Sequence, residues 1–217
     1  SSDLLYPILT IEEFPNLVAA NHLSGLNVTI PYKEQVIPYL NELDEMADAI
    51  GAVNVIKFMQ LKTGLYLKGY NTDAIGFKKS IVPHLAPHHK KALILGTGGA
   101  SKAIHYVFGL LGIETLFVSR TPDAGQLAYS EISTDIMHNY QIIVNASPLG
   151  TFPNVSQCPL IPYELLTPKH LLFDVVYNPV ETLFLKKARA QGAVGLNGLQ
   201  MLEWQALEAW DIWNAVT

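Results

Sequence analysis

Apolar and polar positions along this chain keep two different rhythms. In the first seventy-odd residues the pattern is mixed. Thr10 followed by Glu13 has capping-box spacing and predicts a helix over residues 11–20. Leu26, Val28 and Ile30 then alternate with Asn27 and Thr29, which predicts a strand that Pro31 ends. The stretch "KEQVIPYLNELDEMADAIG" has helical spacing, interrupted at Pro38 and closed by Gly51. "AVNVIKFMQ" and "GLYLKGYN" predict a hairpin that turns around Lys62-Thr63-Gly64.

Beyond that hairpin, short apolar runs alternate with helical segments. "IGFKKSIVPHL" predicts a short helix ending near Pro83. "KALILG" predicts a strand that runs into the helix "TGGASKAIHYVFGLLG", and "ETLFVSR", "YQIIVNAS" and "HLLFDVVYN" predict three more strands. Strands alternating with helices imply βαβ units and a parallel sheet, hence an α/β fold. A final helix, "GLQMLEWQALEAWDIWNAV", carries apolar residues on one face, and its Trp204, Trp210 and Trp213 read as packing residues.

Composition narrows the function classes. The chain has 217 residues, 49% hydrophobic and 15% charged, with a formal net charge of −5. This suits a compact globular protein and argues against disorder. Without a basic cluster, a nucleic-acid partner is not expected. The apolar runs are strand-sized, so no membrane span is expected either, nor is a signal peptide. The single cysteine, Cys158, has no partner for an internal disulfide and no evident activating base. A cytoplasmic setting follows as an expectation, in which the sequons at Asn27 and Asn154 stay unmodified. His84, His88 and His89 lie in "VPHLAPHHKK" with no carboxylate or cysteine to complete a ligand set, so that segment reads as a solvated loop and no metal is expected.

Two places carry cofactor chemistry. "LILGTGGASKA" puts Gly96, Gly98 and Gly99 between a strand and a helix, where backbone can approach a dinucleotide pyrophosphate and a helix N-terminus offers N–H groups. Ser101 occupies the usual third glycine position and is small enough for close helix–strand packing. A purely structural turn would look the same. At the end of the next strand stand Ser119, Arg120 and Thr121, where a site preferring NAD would carry a carboxylate. Arginine and hydroxyls suit a 2′-phosphate and point to NADP, with a solvated strand-end arginine as the alternative.

The remaining polar residues share a setting. Asn27, Thr29, Lys33, Asn54, Asn71, Thr72, Asp73 and Gln205 each interrupt an apolar context near the end of an element. Such a set can converge on one polyhydroxylated ligand. Taken in order, "GxNVTxPxK", "GAVN", "GYNTDxxGF", "GTGGAS", "VNASPLG", "DVVYNPxxT" and "GLxMLxxQA" resemble the shikimate dehydrogenase family from about Gly25 to the C-terminus. The resemblance implies an NADP-dependent oxidoreductase interconverting shikimate and 3-dehydroshikimate on the route to aromatic amino acids. It implies a substrate-binding α/β domain over 1–75, a Rossmann-like cofactor domain over 76–196, and a last helix, 197–217, returning to the first domain. Lys33 and Asp73 match the catalytic pair. Asn27, Thr29, Asn54 and Gln205 match hydroxyl-binding positions, and Tyr177 matches a residue that approaches the substrate from the cofactor domain. Gly96, Gly98, Gly99, Ala100, Arg120 and Thr121 match cofactor-binding positions, with Asn145, Ser147 and Gly198 near the nicotinamide.

Two features depart from the family pattern. The family's opening strand and its Ser-x-Ser segment, implied holders of the substrate carboxylate, are not found, the chain starting at Ser1-Ser2-Asp3. Either they lie outside the sequence or the first sheet is expected to lack a strand. After Arg120, Pro122, Asp123 and Ala124 stand where many relatives carry a second basic residue, so NAD as an additional cofactor stays open. A quinate-type dehydrogenase and a non-catalytic cofactor-binding relative are the other readings. A monomer and a homodimer are both compatible with the sequence.

Overall fold

The structure, a computed structural model, describes residues 4–215; Ser1-Ser2-Asp3, Val216 and Thr217 lie outside the described residues. The chain forms two compact units, one of Ser1–Thr72 with Leu207–Thr217 and one of Asp73–Ala206.

In the first unit, the Glu13 carboxylate accepts the N–H groups of Leu9 (3.1 Å) and Thr10 (3.2 Å) and so fixes the turn Ile11–Glu13 that leads into α1 (Phe14–Ala20). Strand β1 (Gly25–Asn27) is shorter than the alternation predicts. The next N–H, of Val28, still reaches the Asn54 carbonyl (2.9 Å), but the Thr29 carbonyl already accepts from Tyr32 in a turn, so pairing stops before Pro31.

The helix expected from Lys33 to Gly51 forms only in its second half. Pro38 sits in a single 3-10 turn, Ile37–Tyr39, and the chain then pairs with the hairpin as β2 (Glu42–Leu43). Asn41 N–H and Asp44 N–H donate to the Leu67 and Gly69 carbonyls, both at 2.9 Å. Only after Asp44, whose carboxylate caps Ala47 N–H at 2.8 Å, does α2 (Glu45–Ile50) run. The hairpin of β3 (Val55–Leu61) and β4 (Gly64–Tyr70) matches the expectation, with Leu61 opposite Gly64, and the sheet order is β1-β3-β4-β2. Phe14, Val28, Val36, Ala47, Val53, Ile56 and Leu67 form its core.

The C-terminal residues anchor to this sheet. The Trp213 indole N–H donates to the Ile56 carbonyl (3.1 Å), and the buried Lys57 ammonium donates to the Ala215 carbonyl (2.6 Å). A cation there also suits the negative end of the preceding helix.

The second unit starts with α3 (Thr72–Ile81), of which Thr72 itself still counts with the first unit. It continues through β5 (Lys91–Leu95), α4 (Gly99–Leu110), β6 (Glu114–Ser119), β7 (Leu127–Ala128), α5 (Thr134–Asn139), β8 (Ile142–Asn145), β9 (Leu171–Asp174), α6 (Leu183–Ala190), β10 (Val194–Leu196) and the start of α7 (Leu199–Asn214), which counts with the first unit from Leu207 on. All six strands are parallel in the order β10-β9-β8-β5-β6-β7, the arrangement of two mononucleotide-binding halves meeting between β5 and β8. Strands β8 and β9 are buried throughout, as a parallel sheet covered on both faces requires. On one face Leu93, Leu95, Ile143 and Leu172 pack with Phe184 and Leu185 of α6. On the other, Phe77 meets Phe108 and Phe173 edge-to-face at 5.2 and 5.0 Å.

Two expectations change here. His89 is buried: its Nδ1 accepts the Ala86 N–H (3.0 Å) and its Nε2 faces the Lys169 carbonyl (3.0 Å), which His88 Nε2 also approaches (3.2 Å). These histidines therefore tie the segment before β5 to the segment before β9, and burial holds the His89 imidazole below its ordinary pKa. No group of three or more potential metal ligands exists among the described residues. On α7 only Trp213 packs as expected; Trp210 is exposed, and Trp204 lies under the Lys79 ammonium, 4.7 Å from its ring centroid.

A Cβ added at Gly25 would lie 2.2 Å from the Trp213 indole, so the Gly25→Ala side chain and the present Trp213 position exclude one another. The variant is expected to lose about 1–3 kcal/mol by overpacking and by loss of the indole hydrogen bond. Urea denaturation checks this, and an unchanged midpoint would show that Trp213 does not hold the C-terminus to the sheet.

Candidate active site

Within the first unit, backbone hydrogen bonds gather stretches that are far apart in sequence. Val28 N–H donates to the Asn54 carbonyl (2.9 Å), Val53 N–H to the Lys33 carbonyl (2.7 Å), and Asn54 N–H to the Tyr70 carbonyl (3.0 Å). The Asn54 side chain is buried and clamps Thr72, donating to its hydroxyl (3.0 Å) and accepting its N–H (2.7 Å). Asn71 donates to the Ala52 carbonyl at 2.8 Å. Asn27 and Thr29 follow one another out of β1 with exposed side chains, and Lys33 is half-buried. The unit thus brings an amide, a hydroxyl and an ammonium group onto stretches stitched to one another, with Asn54 in a holding role.

Asp73 follows Thr72 directly and belongs to the second unit, in the first turn of α3, where a carboxylate suits the helix N-terminus. It is buried. Gln205 also counts with this unit, on α7, and donates to the Leu202 carbonyl at 3.1 Å.

The glycine-rich turn leaves β5 as the cofactor reading requires. Gly96 has φ of +118°, open to glycine and strained for other residues, and a Cβ there would press on the Ala146 carbonyl at 3.3 Å. Gly98 precedes α4, and Gly99 and Ala100 form its first residues, whose N–H groups have no intrahelical acceptor. Ser101 is fully buried and donates to the Gly98 carbonyl (2.6 Å), which makes a serine at the third position compatible with close packing. Arg120 and Thr121 are exposed at the end of β6, and the Ser119 hydroxyl accepts the Thr121 N–H at 3.2 Å. An exposed guanidinium beside a hydroxyl at this strand end can bind a phosphate.

The expected nicotinamide end is a network of buried hydrogen bonds. Asn145 ends β8 opposite Asp174 at the end of β9, and its side chain is buried and fully used. Its amide N–H groups reach Asp174 Oδ1 (2.9 Å) and the Leu149 carbonyl (3.2 Å), while its oxygen accepts from the Ser147 hydroxyl (2.6 Å) and N–H (3.1 Å). Tyr177 is exposed, and Gly198 is buried with its N–H on the Val176 carbonyl (3.2 Å).

Sequence reasoning gave Asp174 and Thr182 no role, although both stand in "DVVYNPxxT". Asp174 is fully buried and accepts from Asn145, from Val176 N–H (3.1 Å) and from the Thr182 hydroxyl (2.5 Å), while Thr182 also caps α6. The visible signal was a carboxylate closing a wholly apolar strand. Burial pushes the Asp174 carboxyl up to about 6, against the pull of these three donors. The folded protein therefore holds this proton more tightly than the unfolded chain. That contribution to stability is full below pH 4 and is lost as pH rises through about 6, amounting to about 3 kcal/mol. Denaturation of wild type and Asp174→Asn at pH 4 and pH 7 is expected to show wild type losing ground to the variant by that order as pH rises. An equal pH dependence in the two proteins would refute the assignment.

Comparison with known proteins places these features. A family model described as the shikimate dehydrogenase substrate binding domain matches residues 5–56. The chain is similar to shikimate dehydrogenase (NADP(+)) of Halothermothrix orenii, 39% identical over 91% of this chain and 74% of that one. It is similar to the enzyme of the same name from Desulforamulus reducens, 34% identical over 90% and 73%. Among solved structures, shikimate 5-dehydrogenase from Thermus thermophilus, in complex with NADP(H) and shikimate, superposes with a TM-score of 0.80 at 30% identity, over 95% of this chain and 80% of that one. With identities of 34% and 39% to enzymes of that name across most of both chains, and with a cofactor-type parallel sheet following a small mixed sheet, this chain belongs to the shikimate dehydrogenase family of NADP-dependent oxidoreductases.

Proposed function

We propose that the chain catalyses the reversible NADPH-dependent reduction of 3-dehydroshikimate to shikimate, with Lys33 as proton carrier and Asp73 as the carboxylate of the catalytic pair. The observation that carries this reading is the placement of Lys33: its carbonyl is bound by Val53 N–H, next to Asn54, whose own carbonyl is bound by Val28 between Asn27 and Thr29. An ammonium group is thereby held on the same stitched segments as an amide and a hydroxyl suited to ring hydroxyls.

The chemistry asks two things of the protein. A ketone accepting a hydride develops negative charge on its oxygen, and a lysine N–H meets that charge and delivers the proton. The nicotinamide supplies the hydride when it is bound. Asn27, Thr29 and Gln205 are proposed to hold the substrate hydroxyls, Asn54 to set the frame, and Tyr177 to approach from the cofactor side. Gly96, Gly98, Gly99 and Ala100 would take the pyrophosphate by backbone N–H groups, and Ser119, Arg120 and Thr121 the 2′-phosphate. Among the described residues no helix is long and apolar enough to cross a membrane. We place the activity in the cytoplasm, in a monomer or a homodimer.

Nicotinamide absorbance with shikimate, followed with NADP⁺ and with NAD⁺, tests the reading directly, and reduction with neither cofactor would end it. Lys33→Ala is expected to lower turnover about 10²- to 10⁴-fold while NADP⁺ affinity stays put. Parallel losses in both would make Lys33 a structural residue. Arg120→Ala is expected to lower kcat/KM for NADP⁺ roughly tenfold to a hundredfold and to spare NAD⁺. Equal losses with both cofactors would move the 2′-phosphate contact elsewhere.

A further inference from the structure

Four residues expected on the nicotinamide and substrate side of the second unit, Asn145, Ser147, Tyr177 and Gly198, lie on loops that lead back to one carboxylate. Asp174 Oδ1 accepts from Asn145, whose oxygen in turn holds both the hydroxyl and the N–H of Ser147. The same Oδ1 accepts Val176 N–H, and the Val176 carbonyl receives Gly198 N–H, with Tyr177 next in the chain. Oδ2 accepts the Thr182 hydroxyl at the start of α6. The residues expected at the adenosine end, Ser119, Arg120 and Thr121, take no part in this network.

We propose that Asp174 is a positioning residue for hydride transfer: it braces the loops after β8 and β9 and the start of α6, and so fixes the nicotinamide end of the cofactor site without touching the reactants. This rests on the dehydrogenase reading above. Packing alone does not explain the residue. A buried carboxylate costs several kcal/mol of lost hydration, and the groups bonded to this one are a side-chain amide, a backbone N–H and a hydroxyl, none of them a cation. An apolar residue would avoid that cost but leave these three donors without the acceptor. What the carboxylate adds is acceptor capacity, with one oxygen shared by two loops and the other holding a helix start.

A role confined to the nicotinamide end separates this from a general loss of stability. The test compares Asp174→Ala, Asn145→Ala, their double variant and Asp174→Asn, all well below the melting temperature. The readouts are kcat with shikimate and NADP⁺, and the dissociation constant of adenosine 2′,5′-bisphosphate, which reports on the adenosine end alone. Asp174→Ala and Asn145→Ala are each expected to lower kcat about tenfold to a hundredfold, the order that small misplacements of reacting groups cost. The double variant is expected to lose no more than either single one, because both break one linkage. Bisphosphate affinity is expected to stay within about twofold of wild type, and Asp174→Asn, which keeps an acceptor at Oδ1, to recover most of the lost turnover.

Wild-type kcat in folded Asp174→Ala overturns the proposal, as does bisphosphate affinity falling in step with kcat. Should Asp174→Ala not fold, Asn145→Ala decides, since it cuts the link to Ser147 and leaves the other two donors to the carboxylate; wild-type kcat there overturns it equally. Hydrogen exchange at residues 145–149 in Asp174→Ala is expected to accelerate, and unchanged protection would overturn the brace. That readout needs no turnover, so a wrong substrate and a wrong brace give different results.

Discussion

A parallel strand covered on both faces can carry a polar side chain only where it ends. Strands β8 and β9 are buried from first residue to last, and each closes on its one polar residue, Asn145 and Asp174. Strand β6 closes on Ser119, and β5 opens into the Gly96 turn. All point the same way, so the chemistry of the second unit is forced to the carboxyl edge of the sheet, with the crossover between β5 and β8 as the natural crevice. Phe77, Phe108 and Phe173 pack edge-to-face on one face of that sheet. Cofactor chemistry is placed by core physics before any ligand is considered.

The first unit solves the same problem with a small mixed sheet. Its strands are too short to define an edge, and side-chain amides take over. Asn54 spends its amide on Thr72 and its backbone on Val28 and Tyr70, so one residue aligns segments from three places in the chain. Asn71 does likewise for Ala52, and Asn41 for the hairpin, whose Leu67 N–H it accepts at 2.7 Å. In both units asparagine serves as a junction because its amide donates and accepts at once.

This explains what was legible in the sequence. The hairpin over residues 55–70, the glycine turn and the buried strands follow from period and composition, since local pattern and tertiary role agree there. The segment from Lys33 to Gly51 misled because its helical spacing competes with pairing of Asn41 and Asp44 to the hairpin, a partner distant in sequence. His89 looked solvated in a Pro-rich loop, and only the fold reveals the Lys169 carbonyl opposite it. The motif drew attention to Asn145, but not to its hydrogen bonds, which turn the side chain toward Asp174 and Ser147. Asp174 and Thr182, eight residues apart, make a hydrogen bond that no local pattern encodes.

The contrast between the two acidic residues of interest sharpens the functional reading. Asp73 stands in the first turn of a helix. Asp174 closes a strand, where burial works against its charge and only three neutral donors support it, so that its ordinary range is shifted up to about 6. At neutral pH Asp174 is ionised at a cost the fold must carry. An asparagine would fill the same volume without that cost, but it would turn a donor toward Thr182 and leave one acceptor fewer. What the costlier residue adds is that one acceptor, which holds the Thr182 hydroxyl at the start of α6. That added acceptor fits the proposed bracing of the nicotinamide end, whereas Arg120, proposed for the other end, is exposed.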